Sequence, residues 1–188
     1  MSLTTKKALA MSLKSLLEKR TLDKITVKDI VSECSLNRQT FYYHFHDTYD
    51  LLQWLYSYET GDIIEKMRDP SVDTDDYGLI LQYILNNRNF IINTCRSLKR
   101  EYLIIRLKEC IQPIILEIIK NNISDTSVSS DDADAISDLF SNAFIGLILD
   151  WVSTDLSEDY LPKFRKYADL LLDYMAFIRA GYPSRPNA

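Results

Sequence analysis

The chain has 188 residues, 46% of them hydrophobic and 26% charged, with only 4 Gly and 5 Pro. Apolarity at that level excludes a disordered chain, and so few breakers argue against sheets joined by tight turns and for long helices. The formal net charge is −5, yet residues 1–46 carry eight Lys and Arg against four acids, a net +4, while the other 142 carry 14 against 23, a net −9; a basic end on an acidic body points to a nucleic-acid-binding end.

Residues 5–20 read as a first helix, with Leu9, Leu13, Leu16 and Leu17 recurring at spacings of three and four. After the connection Thr21–Lys24, Thr26-Val27-Lys28-Asp29 is a Ser/Thr-x-x-Asp/Glu start signal for a second helix running to about Glu33. Cys34-Ser35-Leu36 is the turn, and Asn37 caps a third helix that ends near Phe45. Asp47-Thr48-Tyr49-Asp50 repeats the cap logic and opens a fourth helix through Leu51, Leu52, Trp54 and Leu55. Leu79–Leu85 is densely apolar, Arg88–Leu98 reads as a short helix, and Glu101–Ile123 is a long apolar stretch that Pro113 should kink or split. Asn121–Asp132 reads as a loop, with Asp131, Asp132 and Asp134 as helix-start charges and not a metal site. Ile136, Leu139, Phe140, Ala143, Phe144, Leu147, Ile148 and Trp151 then form one helical stripe, Leu161 to Ile178 a second, and Arg179–Ala188 a polar tail.

Residues 26–45 carry the chemistry. Two helices of about two turns, separated by a three- or four-residue turn, match a helix-turn-helix, whose second helix lies in the major groove. At 100° per residue, Phe41 and Phe45 fall on one face of the third helix and anchor it, while Gln39 and Tyr43 point outward. Arg38 and Tyr42 flank one side of that outward surface, Thr40 and His44 the other. Gln pairs with adenine edges and Arg with guanine edges, whereas hydroxyls and imidazoles suit phosphate oxygens. Lys28 adds charge, and the helix starts at Thr26 and Thr48 offer backbone N–H donors to phosphate. His44 fits either a phosphate contact or packing, and Lys6 and Lys7 read as a solvated helix end.

The same residues resemble the DNA-binding domain of TetR-family regulators: Thr26-Val-Lys-Asp-Ile-Val, then Ser35-Leu-Asn-Arg-Gln-Thr-Phe-Tyr-Tyr-His-Phe45, then Leu51-Leu52. The Arg-Gln-Thr-Phe-Tyr run also resembles a subgroup that includes activators of dihydroxyacetone kinase operons. The resemblance covers residues 5–55. It implies phosphate contacts for Thr26, Thr40, Tyr42 and His44, and base reading for Arg38 and Gln39. Two positions depart from it. Ser35 stands where the family has a turn glycine, which makes a left-handed backbone more costly there. Thr48 stands where a lysine is common.

The expected fold is therefore all-α: an N-terminal three-helix, helix-turn-helix DNA-binding domain over residues 1–50, followed by a helical ligand-binding and dimerisation domain over 51–188. The expected partners are double-stranded DNA, bound through Thr26, Lys28, Asn37, Arg38, Gln39, Thr40, Tyr42, Tyr43, His44 and Thr48, and a second copy, joined through residues 132–179. The two stripes can form a four-helix bundle between subunits, as they do in the resembled family, or pack within one subunit. By the same analogy the middle helices, 60–125, house an effector pocket for a small molecule or a protein, with Pro113 a bend that opens it or transmits a shift. The body aromatics, among them Tyr77, Tyr83 and Phe90, read as core or interface.

Enzymatic function finds no support: there is no Gly-rich phosphate loop, GxSxG or HExxH, and both histidines, His44 and His46, lie in the DNA-binding segment. No catalytic residue, metal site or cofactor is expected. Cys34, Cys95 and Cys110 are odd in number and far apart, which fits a reducing cytoplasm. No signal peptide or uncharged span of membrane length is visible. The competing reading is a helical interaction module controlled by a protein partner, with weak or lost DNA binding.

Overall fold

A computed structural model describes residues 3–68, 78–123 and 129–179. The described residues form α1 (Leu3–Leu17), α2 (Val27–Glu33), α3 (Arg38–His44), α4 (Thr48–Arg68), α5 (Gly78–Asn86), α6 (Arg88–Ser97), α7 (Arg100–Ile123), α8 (Ser130–Ser153) and α9 (Leu161–Arg179), with short 3-10 turns at Leu22–Lys24 and Glu158–Tyr160 and no strand. The fold is all-α, as the scarcity of breakers predicts. Tyr77, residues 124–128 of the expected loop and residues 180–188 of the expected tail lie outside the described residues.

Several boundaries differ from the sequence reading. The first helix ends at Leu17, and Thr21 then enters an extended conformation that leads into the 3-10 turn. The expected loop at 121–132 is shorter at both ends. Helix α7 continues to Ile123, and Ser129 caps α8 by accepting a hydrogen bond from the Asp132 N–H at 3.1 Å. Helix α7 is not split at Pro113. That proline is exposed, so water can satisfy the carbonyl that loses its donor one turn earlier.

Two sets of contacts build the core. Helix α1 packs on α2, α4 and α6, and α7 packs on α4, α8 and α9. Helix α4 belongs to both sets and runs without a break through residues 50 and 51. Its first turns bury Leu51, Leu52 and Leu55, and further along it buries Ile63. Helix α7 buries Ile111, Ile114, Ile115, Ile118 and Ile119, a spacing of three and four that keeps one stripe against its neighbours. Ser137 and Ser141 on α8 are fully buried. Small side chains there let α8 close on α7, and the Ser137 hydroxyl donates to the Gln112 carbonyl at 3.4 Å. Helix α8 is long and apolar enough, by length and composition, to cross a membrane, but 44% of its apolar window is buried inside the fold.

Candidate nucleic-acid interface

The helix-turn-helix is assembled by local hydrogen bonds that the sequence spells out. At the start of α2 the Thr26 hydroxyl accepts from the Asp29 N–H at 3.2 Å, and the Asp29 carboxylate accepts from the Thr26 N–H at 2.9 Å, a complete capping box. The backbone N–H of Thr26, and then its hydroxyl, hold the Asp29 carboxyl below its ordinary value. Helix α2 ends in a two-bond turn: the Leu36 N–H returns to the Val31 carbonyl at 2.8 Å and the Ser35 N–H to the Ser32 carbonyl at 3.4 Å. This closure needs a left-handed residue between them, and Ser35 supplies it at φ 56°. Asn37 then caps α3, accepting from the Thr40 N–H at 2.8 Å and from the Thr40 hydroxyl at 3.1 Å. The Ser12 hydroxyl ties α1 to the middle of α2, donating to the Ile30 carbonyl at 2.6 Å.

Helix α3 is divided as its helical wheel predicts. Phe41 is fully buried and Phe45 nearly so, their rings 6.0 Å apart. On the opposite side Tyr43 is 75% exposed and Tyr42 59%. Asn37, Arg38 and Gln39 are exposed beside them, and Thr26 and Lys28 are exposed on α2. All seven of these residues are solvent-exposed. Thr40 is half-buried with its hydroxyl turned to Asn37. His44 is half-buried too, and its Nε2 is enclosed without a partner. Thr48 is half-buried at the start of α4. Several N–H groups around it are already taken: Asp47 Oδ1 accepts from Tyr49 and Asp50, each at 2.8 Å, and Asp50 accepts from the His46 N–H at 2.9 Å. Two carboxylates thus occupy the edge where a phosphate would approach.

Residues 13–55 match the sequence model described as bacterial regulatory proteins, tetR family. Residues 77–171, just over half of the chain, match that of the TetR-type transcriptional regulator C-terminal region. The chain belongs to the TetR family. A curated relative is the HTH-type dhaKLM operon transcriptional activator DhaS of Lactococcus lactis subsp. lactis (strain IL1403), 29% identical over 89 residues, 47% of this chain. The matched stretch spans about half of that relative, 48% of its length. A solved structure of the dihydroxyacetone kinase operon activator DhaS superposes with a TM-score of 0.65 at 22% identity, over 94% of this chain and 98% of that one. A TetR transcriptional regulator from Streptococcus agalactiae 2603V superposes with a TM-score of 0.52 at 21% identity, over 86% and 93%. At these identities the two structures speak for the fold.

In this TetR-family chain several groups take places that the sequence reading did not give them. Lys6 and Lys7 are not merely a solvated helix end. The Lys6 ammonium lies 5.5 Å from the Phe45 ring centre and 5.9 Å from that of Trp54, and the Lys7 ammonium 4.7 Å from that of Tyr58. The i, i+4 pair Trp54 and Tyr58, stacked at 5.3 Å, was the available signal for such a platform. A cavity of about 80 Å³, larger than a single water needs, lies among α4, α5, α6, α7 and α8. Tyr83 lines it together with Tyr56, Cys95 and Cys110, so Tyr83 is wall and not only core. Burial pushes the Cys95 thiol up to about 12 and holds the Tyr56 and Tyr83 phenols far above their ordinary value. These groups are neutral at physiological pH and present an apolar wall with hydrogen-bonding hydroxyls.

Proposed function

We propose that this TetR-family transcriptional regulator acts in the cytoplasm as a homodimer on a near-palindromic operator, with its DNA affinity set by an effector bound in the body. Residues 1–50 form the DNA-binding unit and 51–188 the effector-binding and dimerisation unit. The carrying observation is the polarity of α3, with Phe41 fully buried and Tyr43 75% exposed on one two-turn helix. A buried anchor under an exposed row of amide, guanidinium and phenol groups is what a major-groove helix needs. In this reading Arg38 and Gln39 address base edges, with Tyr43 outward beside Gln39. Thr26, Lys28, Asn37, Thr40, Tyr42, His44 and Thr48 set the position on the backbone. Thr26 and Thr40 keep their caps while doing so, which leaves their hydroxyls as bond-sharing contacts.

The dimer reading rests on apolar side chains left outside the core. On α8 Leu139 is 68% exposed, and on α9 Leu170 is 50% exposed. The two helices already meet through Phe144 and Phe164, ring centres 5.4 Å apart. A second copy of the pair would complete a four-helix bundle and place two copies of α3 one helical turn apart on DNA.

Selection of bound sequences from a random DNA pool tests this, followed by binding assays on the selected site. The expected result is a two-fold site bound with steep salt dependence. Gln39→Ala should weaken binding by about 1–3 kcal/mol and relax the preference at one base pair per half-site, and Tyr43→Ala should also weaken it. The acid caps at Asp47 and Asp50 favour the second reading, a helical interaction module controlled by a protein partner, with weak or lost DNA binding. Absence of any salt-sensitive DNA affinity would decide for that module.

A further inference from the structure

Among the described residues that line the cavity between α4 and α8, one is an acid, Glu59 on α4. Its carboxylate is held from two directions. The Tyr83 hydroxyl on α5 donates to one oxygen and the Lys14 ammonium on α1 to the other. The Lys14 ammonium also lies 5.4 Å from the ring centres of both Tyr83 and Phe90. The pair is largely enclosed, the two side chains being 19% and 13% exposed. A carboxylate and the ring faces of Tyr83 and Phe90 around one charged nitrogen are the groups that hold an alkylammonium ion. At the edge of this cavity they hold one that belongs to the protein itself.

In the described lining the other charged residue is Arg106, whose Nη1 is turned to a different acid while its Nε is buried without a partner. Its guanidinium pairs with Glu109 at 2.7 Å and stacks on Tyr102 at 4.7 Å. Most of the remaining wall is Ile and Leu. Lys14 sits on the helix that carries the DNA-binding motif: α1 donates from Ser12 to Ile30 and from Ser15 to Glu33 of α2. The contact between Glu59 and Lys14 therefore joins the cavity wall to the helix-turn-helix through one ion pair.

We propose that the cavity takes a small organic ammonium ion with an apolar body, that its ammonium group replaces Lys14 on Glu59, and that the freed α1 carries occupancy to the helix-turn-helix. Two ammonium groups on one carboxylate repel each other in a poorly hydrated site, so the ligand and Lys14 compete. The last step rests on the proposed function; the ligand chemistry does not.

Thermal unfolding of the full chain with n-hexylammonium, n-hexanol or hexanoate, at equal concentration and ionic strength, tests the ligand chemistry. Hexylammonium should raise Tm more than the other two. Lys14→Met removes the internal competitor and should tighten hexylammonium binding by about tenfold. Glu59→Gln, which still accepts from Tyr83, should abolish the effect. Equal shifts with hexanol or hexanoate, a shift that survives E59Q, or no shift at all would overturn the proposal; if K14M does not fold, the wild-type and E59Q series decide. Operator binding is then measured with and without hexylammonium. A changed affinity supports the coupling, and an unchanged one in a stabilised protein overturns it. Failure of the ligand-free protein to bind any DNA would overturn the proposed function instead, with the thermal series still deciding the ligand.

Discussion

Ser35 holds a backbone that favours glycine, at φ 56°, and the turn between α2 and α3 cannot close otherwise. Replacing it removes a steric cost without touching a contact surface, so Ser35→Gly should raise stability by about 0.5–1 kcal/mol in urea unfolding. The capping box beside it gives a pH prediction. Hydrogen bonds from Thr26 lower the Asp29 carboxyl from 3.8, so its stabilisation is present above that value and is lost as pH falls through the still lower folded one. An NMR titration should find the Asp29 midpoint below 3.8, and Asp29→Asn should lose less stability than wild type on acidification past it. At this scale the sequence was clear wherever partners are three residues apart. Thr26 with Asp29, Asn37 with Thr40 and Asp47 with Asp50 all pair as their spacing predicts. It was silent on Lys14 and Glu59, 45 residues apart, because nothing local selects that pairing.

Among the elements, α7 and α8 diverge most from their sequence patterns. Pro113 should interrupt α7, and the helix continues through it. Tertiary packing of the flanking isoleucines against α4 and α8 outweighs a local cost of about 3 kcal/mol. Pro113→Ala should therefore stabilise the protein, by about 1–3 kcal/mol in urea unfolding. Unchanged DNA affinity and effector response in that variant would remove the bend from the signalling path. Helix α8 reads as one apolar stripe, but the structure divides it. Phe144, Leu147, Ile148 and Trp151 are buried, while Leu139 is 68% exposed and Ala143 lies outside too. Apolar residues spread around more than half of a helix cannot all face one neighbour.

The whole molecule spans a basic end and an acidic body that share α4. In the proposed assembly the exposed stripe of α8 meets its counterpart. Leu139→Glu should then shift the mass measured by light scattering from dimer toward monomer, and weaken operator binding while the circular dichroism of the monomer stays helical. A variant that remains dimeric would place the interface elsewhere. The sequence by itself determined the helical class, the order of the DNA-binding motif and body, and which face of α3 is anchored. Each follows from periodicity or from hydrogen bonds three to five residues apart. Only the tertiary structure decided that Lys6 and Lys7 rest on α3–α4 aromatics, that α4 to α8 line a cavity, and that a lysine of α1 reaches Glu59 in its wall. Those features depend on helices brought together across tens of residues, and the spacing of residues along one helix carries no record of which neighbour it will meet.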